Sequence, residues 1–348
     1  MAERKDSPFF CHSHLETVLI GSSLGKGSDP VVRTGITLAR AAGARVYVVH
    51  AVPPEPAAAF ELGWLEPGTL RKEAEPRGRL LRDQIERLGL YPDELAGLKV
   101  VVGTPRRVIA GTARQINADL IVVGAGEPRG RLGTRLGSTA DRVVRMAACS
   151  VLVVRGEVPV PPRRVLMPID LSALSADSFR CGLHFLGQIS AGAPTEIEAI
   201  YALDFQDRLE FLHPDMPWTT TSRQVEQQAV RELERFVDEN DEDAPVPVGV
   251  RVRIGEAREQ ILDELERNPA DLVVLGTNGR SGLDRLLPGG VASAVLREAP
   301  CSVLMIPPEA AGCEDLLAEA VVASKTAAPG QPGPPGGFRH GAEPSSGR

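Results

Sequence analysis

ADLIVVG at residues 118–124 returns as ADLVVLG at 270–276, and CSVLVV at 149–154 returns as CSVLMI at 301–306, both 152 residues later. The same interval carries Gly103 of VVVGTPRRVI onto Gly255 of VRIGEAREQI and Gly137 onto Gly289. Anchors sharing one register make a tandem repeat, and a repeat fixes the architecture before any motif is read. Nearer the start the interval is 147, aligning TVLIGSS from Thr17 with RVLMPID from Arg164. A loop length difference accounts for the change, because a few added loop residues cost little closure entropy.

Within each copy, short β-branched runs alternate with longer segments of helical period, which is the pattern of βαβ units around a parallel sheet. The second copy reads as strands at 164–169, 195–202, 248–254, 271–275 and 302–306. Helices are expected at 175–190, 221–240, 256–267 and 289–298, the second with Val225, Ala229, Leu233 and Phe236 on one face. The expected fold class is α/β: two tandem, doubly wound, open parallel-sheet domains of five strands each, Rossmann-like, with right-handed crossovers.

The boundaries that follow are an irregular extension at 1–14, a first domain at 15–157, a linker at 158–163 and a second domain at 164–308. GEVPVPPR at 156–163 is proline-rich and aperiodic, as a short stiff connection is. Residues 309–348, ending in QPGPPGGFRHGAEPSSGR, bury too little apolar surface to order themselves and are expected to be disordered.

Composition sets outer limits. A chain of 348 residues, 43% hydrophobic, suits two cores, and it has neither a long apolar span nor a secretory leader pattern, so a cytoplasmic location without membrane contact is expected. The formal charge of -7 argues against bulk attraction to nucleic acid. Five cysteines without a CxxC pair indicate neither a disulfide framework nor a zinc ribbon. Cys11, His12 and His14 lie together, but nothing nearby completes a coordination sphere, and no metal site is expected.

The chemistry concentrates in GTNGRSGLDRLLPGG at 276–290, between a buried strand and a helix. Glycines let backbone N–H groups approach a phosphate, and the helix start presents its positive end. Arg280 and Arg285 add local charge there or serve as solvated surface arginines. Asp170, in MPIDLS, ends the first strand of the second copy, where open α/β sheets hold ligands. Its carboxylate suits ribose hydroxyls or an adenine amine; an Asx turn or a helix cap is the alternative. No nucleophile and base pair and no GxxxxGK[ST] loop is present, and His50, His184 and His213 are scattered, so no catalytic residue is assigned.

These residues give the second copy a resemblance to the universal stress protein family, whose late loop reads G, two residues, G, nine residues, G, then Ser or Thr. Gly276, Gly279 and Gly289 match that spacing, and RSGLDRLL and APCSVLMI follow in the family's order. The resemblance covers about 15–157 and 164–308. It implies a universal-stress-protein fold of the adenine nucleotide alpha hydrolase type, with ATP, or ADP or AMP, bound in some members and Mg2+ held only through the bound nucleotide. By position it places Asp170 and the Ala202 backbone at the adenosine, Gly276 at the ribose, and Gly279, Gly289, Gly290 and Val291 at the phosphates. Gly290 departs from the pattern, because it removes the hydroxyl expected at the terminal phosphates.

The first copy departs further. Ser23 replaces the Asp and Glu127 the second glycine, although Gly124, Gly137 and Ser138 persist. A carboxylate facing a phosphate costs about 1–4 kcal/mol at surface-like dielectric, so the first copy is expected to be degenerate, with a shifted use of Gly126 the alternative. The expected function is an adenine-nucleotide-binding stress regulator with an unknown protein partner. A nucleotide-independent scaffold and a slow ATPase are the other readings. The resemblance also implies that the two copies pair through their last strands as an intramolecular pseudo-dimer. It leaves homodimerisation of whole chains open.

Overall fold

The strands are rich in β-branched residues and stop at or just before glycine, proline or a polar residue. The computed structural model describes residues 14–53, 67–126, 136–190, 196–204, 222–242, 244–277 and 290–308. In the first copy these are β1 (Thr17–Ser22), α1 (Asp29–Ala42), β2 (Arg45–Val52), α2 (Pro67–Arg87), β3 (Gly97–Val102), α3 (Pro105–Gln115), β4 (Leu120–Gly124), α4 (Ser138–Met146) and β5 (Ser150–Val154). The second copy repeats them as β6 (Arg164–Ile169), α5 (Ala173–Ile189), β7 (Glu196–Leu203), α6 (Ser222–Asp238), β8 (Val248–Ile254), α7 (Ala257–Arg267), β9 (Leu272–Gly276), α8 (Gly290–Glu298) and β10 (Ser302–Ile306). The expected extension up to residue 13 and the tail from 309 lie outside the described residues.

Each copy forms a parallel array, and the two arrays share one ten-stranded sheet in the order β3-β2-β1-β4-β5-β10-β9-β6-β7-β8. The seam is the antiparallel pair β5–β10, with Val303 opposite Val153, Leu304 opposite Leu152 and Met305 opposite Val151. All five residues of each seam strand are buried. An apolar strand left as an open edge invites aggregation, and here each copy covers the edge of the other.

Helices lie on both faces. One core joins α1, α2, α5 and α6 through residues such as Val32, Ile85, Phe179 and Leu233 and runs across both copies. The other joins α3, α4, α7 and α8 through Ile109, Val143, Leu265 and Val295. Close contact requires glycine at one repeated position. A Cβ on Gly35 would come 2.6 Å from Ile20 Cδ1, and one on Gly182 would come 2.6 Å from Met167 Cε. Helix α6 turns slightly from the expected face: Val225, Ala229, Leu233 and Val237 are buried, while Phe236 is partly buried and meets Phe179 at 5.7 Å between ring centroids.

The repeated ADL motif has a structural task. Asp119 Oδ2 accepts from the Glu16 and Thr17 amides at 3.0 and 2.8 Å, and Asp271 Oδ2 accepts from the Arg163 and Arg164 amides at 2.8 and 3.2 Å. Each aspartate thereby satisfies backbone donors at the start of the neighbouring strand. Although the cysteine spacing indicates no disulfide framework, Cys181 is disulfide-bonded; Cys149 and Cys301 are free and buried.

Candidate functional site

The strand order reverses between β6 and β9, which is where an open α/β sheet leaves a crevice at its carboxyl end. Ile169 pairs with Tyr201, so Asp170 and Ala202 stand one step beyond, side by side. Gly276 ends β9 on the other side of β6, opposite Ile306 of β10. Helix α8 starts at Gly290. The structure therefore brings Asp170, Ala202 and Gly276 to one end of the sheet. Gly279 and Gly289, with Arg280 and Arg285, lie outside the described residues.

Asp170 shapes its own turn. Its Oδ1 accepts from the Ser172 amide at 3.0 Å and the Ser172 hydroxyl at 2.6 Å, which is an Asx turn. Leu171 takes φ 61, and Ser172 Oγ accepts from the Ser175 amide at 3.2 Å to cap α5. The turn alternative raised by the sequence is thus realised. Both contacts from Ser172 fall on Oδ1, one of the two acceptor oxygens of the carboxylate. The sequence signal for the cap is the Ser172 hydroxyl directly before the helix.

Gly290 is exposed, and a Cβ added there meets no described atom within 4 Å. Among the described residues, therefore, nothing crowds a side chain at this position. Ala202 is 9% exposed, so what it offers at the crevice is chiefly backbone. Thr277, just past β9, is buried and donates its amide to the Ile306 carbonyl at 2.9 Å, which anchors the loop's first step. Backbone donors, a small-residue floor and a carboxylate can together hold a polyol and a phosphate chain. Among the described residues no group of three or more His, Cys, Asp or Glu side chains could hold a metal.

The corresponding end of the first copy is built differently. Leu24 keeps the left-handed turn at φ 64, but Ser23 supplies no carboxylate and the loop is tied through Ser22. Ser22 Oγ donates to Gln84 Oε1 at 2.6 Å and accepts from the Leu24 amide at 3.0 Å. Gln84 is fully buried and donates in turn to Ser28 and Asp29, which also pairs with Arg87. His50 contacts the Ser22 carbonyl at 2.9 Å. Gly126, at φ 101, sits so close to the start of α4 that a Cβ on it would come 3.2 Å from Gly137 Cα. Glu127 lies outside the described residues.

Both copies are similar to known proteins. The Universal stress protein family profile matches residues 14–155 and again 162–307. A universal stress protein of Mycobacterium tuberculosis is 26% identical over 268 residues, spanning 74% of this chain and 85% of that protein. One from Methanocaldococcus jannaschii is 27% identical over 144 residues, 41% of this chain and 81% of that protein. Among solved structures, a functionally unknown protein of Pseudomonas aeruginosa superposes with a TM-score of 0.58 at 16% identity, over 89% of this chain and 98% of that one, a likeness of fold. No described helix is long and apolar enough to cross a membrane.

Proposed function

The chain belongs to the universal stress protein family, and from that premise we propose that it is an adenine-nucleotide-responsive stress regulator of the cytoplasm whose second copy holds the nucleotide. The observation that carries the reading is the meeting of Asp170, Ala202 and Gly276 at the reversal point of the second array. There Asp170 and the Ala202 backbone would take the adenosine and Gly276 the ribose. The phosphates would lie toward Gly279, Gly289, Gly290 and Val291, with Mg2+ bound to them. The first copy serves as a scaffold across the β5–β10 seam, since its equivalent turn lacks a carboxylate and is tied internally through Ser22 and Gln84. ATP occupancy would act by favouring one conformation for a protein partner, to the extent that the two conformations differ in nucleotide affinity.

The test is calorimetric titration of ATP, ADP and AMP with Mg2+ into the full-length protein and into Asp170→Ala and Gly279→Glu variants. The reading expects one nucleotide per chain, lost or much weakened in both variants. Silence with every nucleotide, in direct titration and in displacement, would leave the second reading, a nucleotide-independent tandem scaffold. The observation favouring that second reading is Gly290, which lacks the hydroxyl of the family pattern.

A further inference from the structure

Helix α8 starts at the proposed phosphate end of the second copy, and its other end is held by the first copy. Arg155 follows β5 and is only 8% exposed. Its amide donates to Ser302 Oγ at 2.9 Å, Nη1 donates to the Cys301 carbonyl at 3.3 Å, and Nη2 donates to the Leu296 carbonyl in the last turn of α8. Nε has no hydrogen-bond partner, and among the described residues no carboxylate pairs with the guanidinium. A cation buried against backbone carbonyls alone is a costly arrangement. Its position suits the negative end of a helix, where it satisfies the Leu296 carbonyl, one of the last four, which lack intrahelical partners.

At this position the clamp runs in one direction. The residue 152 positions later is Pro307, whose side chain has nothing to donate, so that position returns no such contact to α4. In α4 the last turn instead receives Arg114 of its own copy, through the Met146 carbonyl at 3.3 Å. The asymmetry matches that of the proposed nucleotide site, since the copy assigned the ligand is the one whose late helix is fastened from outside.

We infer that Arg155 is a positioning residue for the phosphate end of the second copy's site, fixing α8 and coupling that end to the first copy across the seam. The inference rests on the reading of the second copy as a nucleotide site. Nine residues are too few for a helix to be stable by itself, so the placement of α8, and with it the amides of its first turn, depends on what holds its ends. Asp170, Ala202 and Gly276 are fixed by the sheet and its turns, so the adenosine end does not depend on Arg155. By linkage, a bound phosphate chain strengthens the seam as much as the clamp strengthens phosphate binding.

The experiment titrates ATP with Mg2+, and separately adenosine, into full-length wild type, Arg155→Met and Arg155→Lys, with circular dichroism verifying the fold. Arg155→Met should lose about tenfold in ATP affinity while adenosine affinity is unchanged, and Arg155→Lys, which reaches fewer carbonyls, should lose about threefold. ATP affinity equal to wild type in a folded Met variant, or equal losses for ATP and adenosine, overturns the inference. If the Met variant does not fold, Arg155→Lys decides: unchanged ATP affinity counts against the clamp, and a loss confined to ATP supports it. Wild type that binds neither ligand ends the nucleotide reading itself, a result distinct from failure of the clamp.

Discussion

Changing Glu264 to glutamine removes one charge from the most heavily paired acidic side chain among the described residues of the second copy. Glu264, on α7, is fully buried, and Oε2 accepts from Arg253 Nε at 3.1 Å and from Arg253 Nη2. Oε1 accepts from Asn268 Nδ2 at 2.8 Å and from Arg164 Nη2 at 3.3 Å, with Arg251 at 3.6 Å. Glu198 on β7 pairs with Arg164 and Arg251 from the other side. Removing one partner of a fully buried pair costs about 3–5 kcal/mol, because the remaining charge stays desolvated. Here Arg251 and Arg253 are 39% and 25% exposed and recover some hydration, so the expected loss is about 2–3 kcal/mol.

Urea unfolding reads this directly. With a slope of about 3 kcal/mol/M, the midpoint should fall by roughly 0.7–1 M at unchanged slope. A shift below about 0.2 M would refute the argument that these charges depend on one another. The first copy supplies the control. Tyr47, opposite Leu19 as Glu198 is opposite Leu166, stands in place of the glutamate, and Val101 and Thr112 stand where Arg253 and Glu264 do. Lys99, in place of Arg251, lies over the Tyr47 ring at 5.8 Å. The same place in the fold thus tolerates a less charged filling, so Glu264→Thr combined with Arg253→Val should cost less than Glu264→Gln alone. Acid should reproduce the loss. Burial alone would raise the Glu264 carboxyl, but the Arg253 and Asn268 hydrogen bonds and the charges of Arg251 and Arg253 outweigh it, leaving its pKa below the ordinary 4.5. Its stabilising contribution is present above that value and disappears as pH falls through the depressed folded pKa.

Gly182→Ala forces a Cβ to 2.6 Å from Met167 Cε and 2.7 Å from Val274 Cγ1, and thermal unfolding should show a loss of about 1–3 kcal/mol. An unchanged Tm would mean that α5 can lift from the sheet without cost. Gly290→Ser meets no described atom and should leave Tm within about 1 °C while tightening ATP binding in calorimetry; weaker ATP binding would contradict the phosphate assignment. Burial pushes the Cys149 thiol up to about 12 and Cys301 to about 11. Both should resist iodoacetamide in the native protein at pH 8 and react once urea unfolds it, as mass spectrometry of the two peptides would show; native labelling of either would contradict the burial argument.

The sequence by itself determined the repeat, the βα alternation and most element limits, because period and turn chemistry are local properties. Strands at 164–169, 248–254 and 302–306 needed no revision, and the helix expected at 221–240 shifted only in which aromatic or aliphatic residue faces inward. The glycine spacing pointed to the second copy, and Asp170 was identified with its two roles unresolved. Tertiary structure decided the rest. The sheet register brought Glu198, Arg251 and Arg253 together with Glu264 of a helix from farther along the chain, although 195–202 and 248–254 show in sequence only as strands. It turned the aspartate of ADL toward amides at the start of another strand, and it carried Arg155 across a seam to a helix 141 residues away in sequence. Such contacts join segments with no common local pattern, and their energies depend on burial that exists only once the two copies share one sheet.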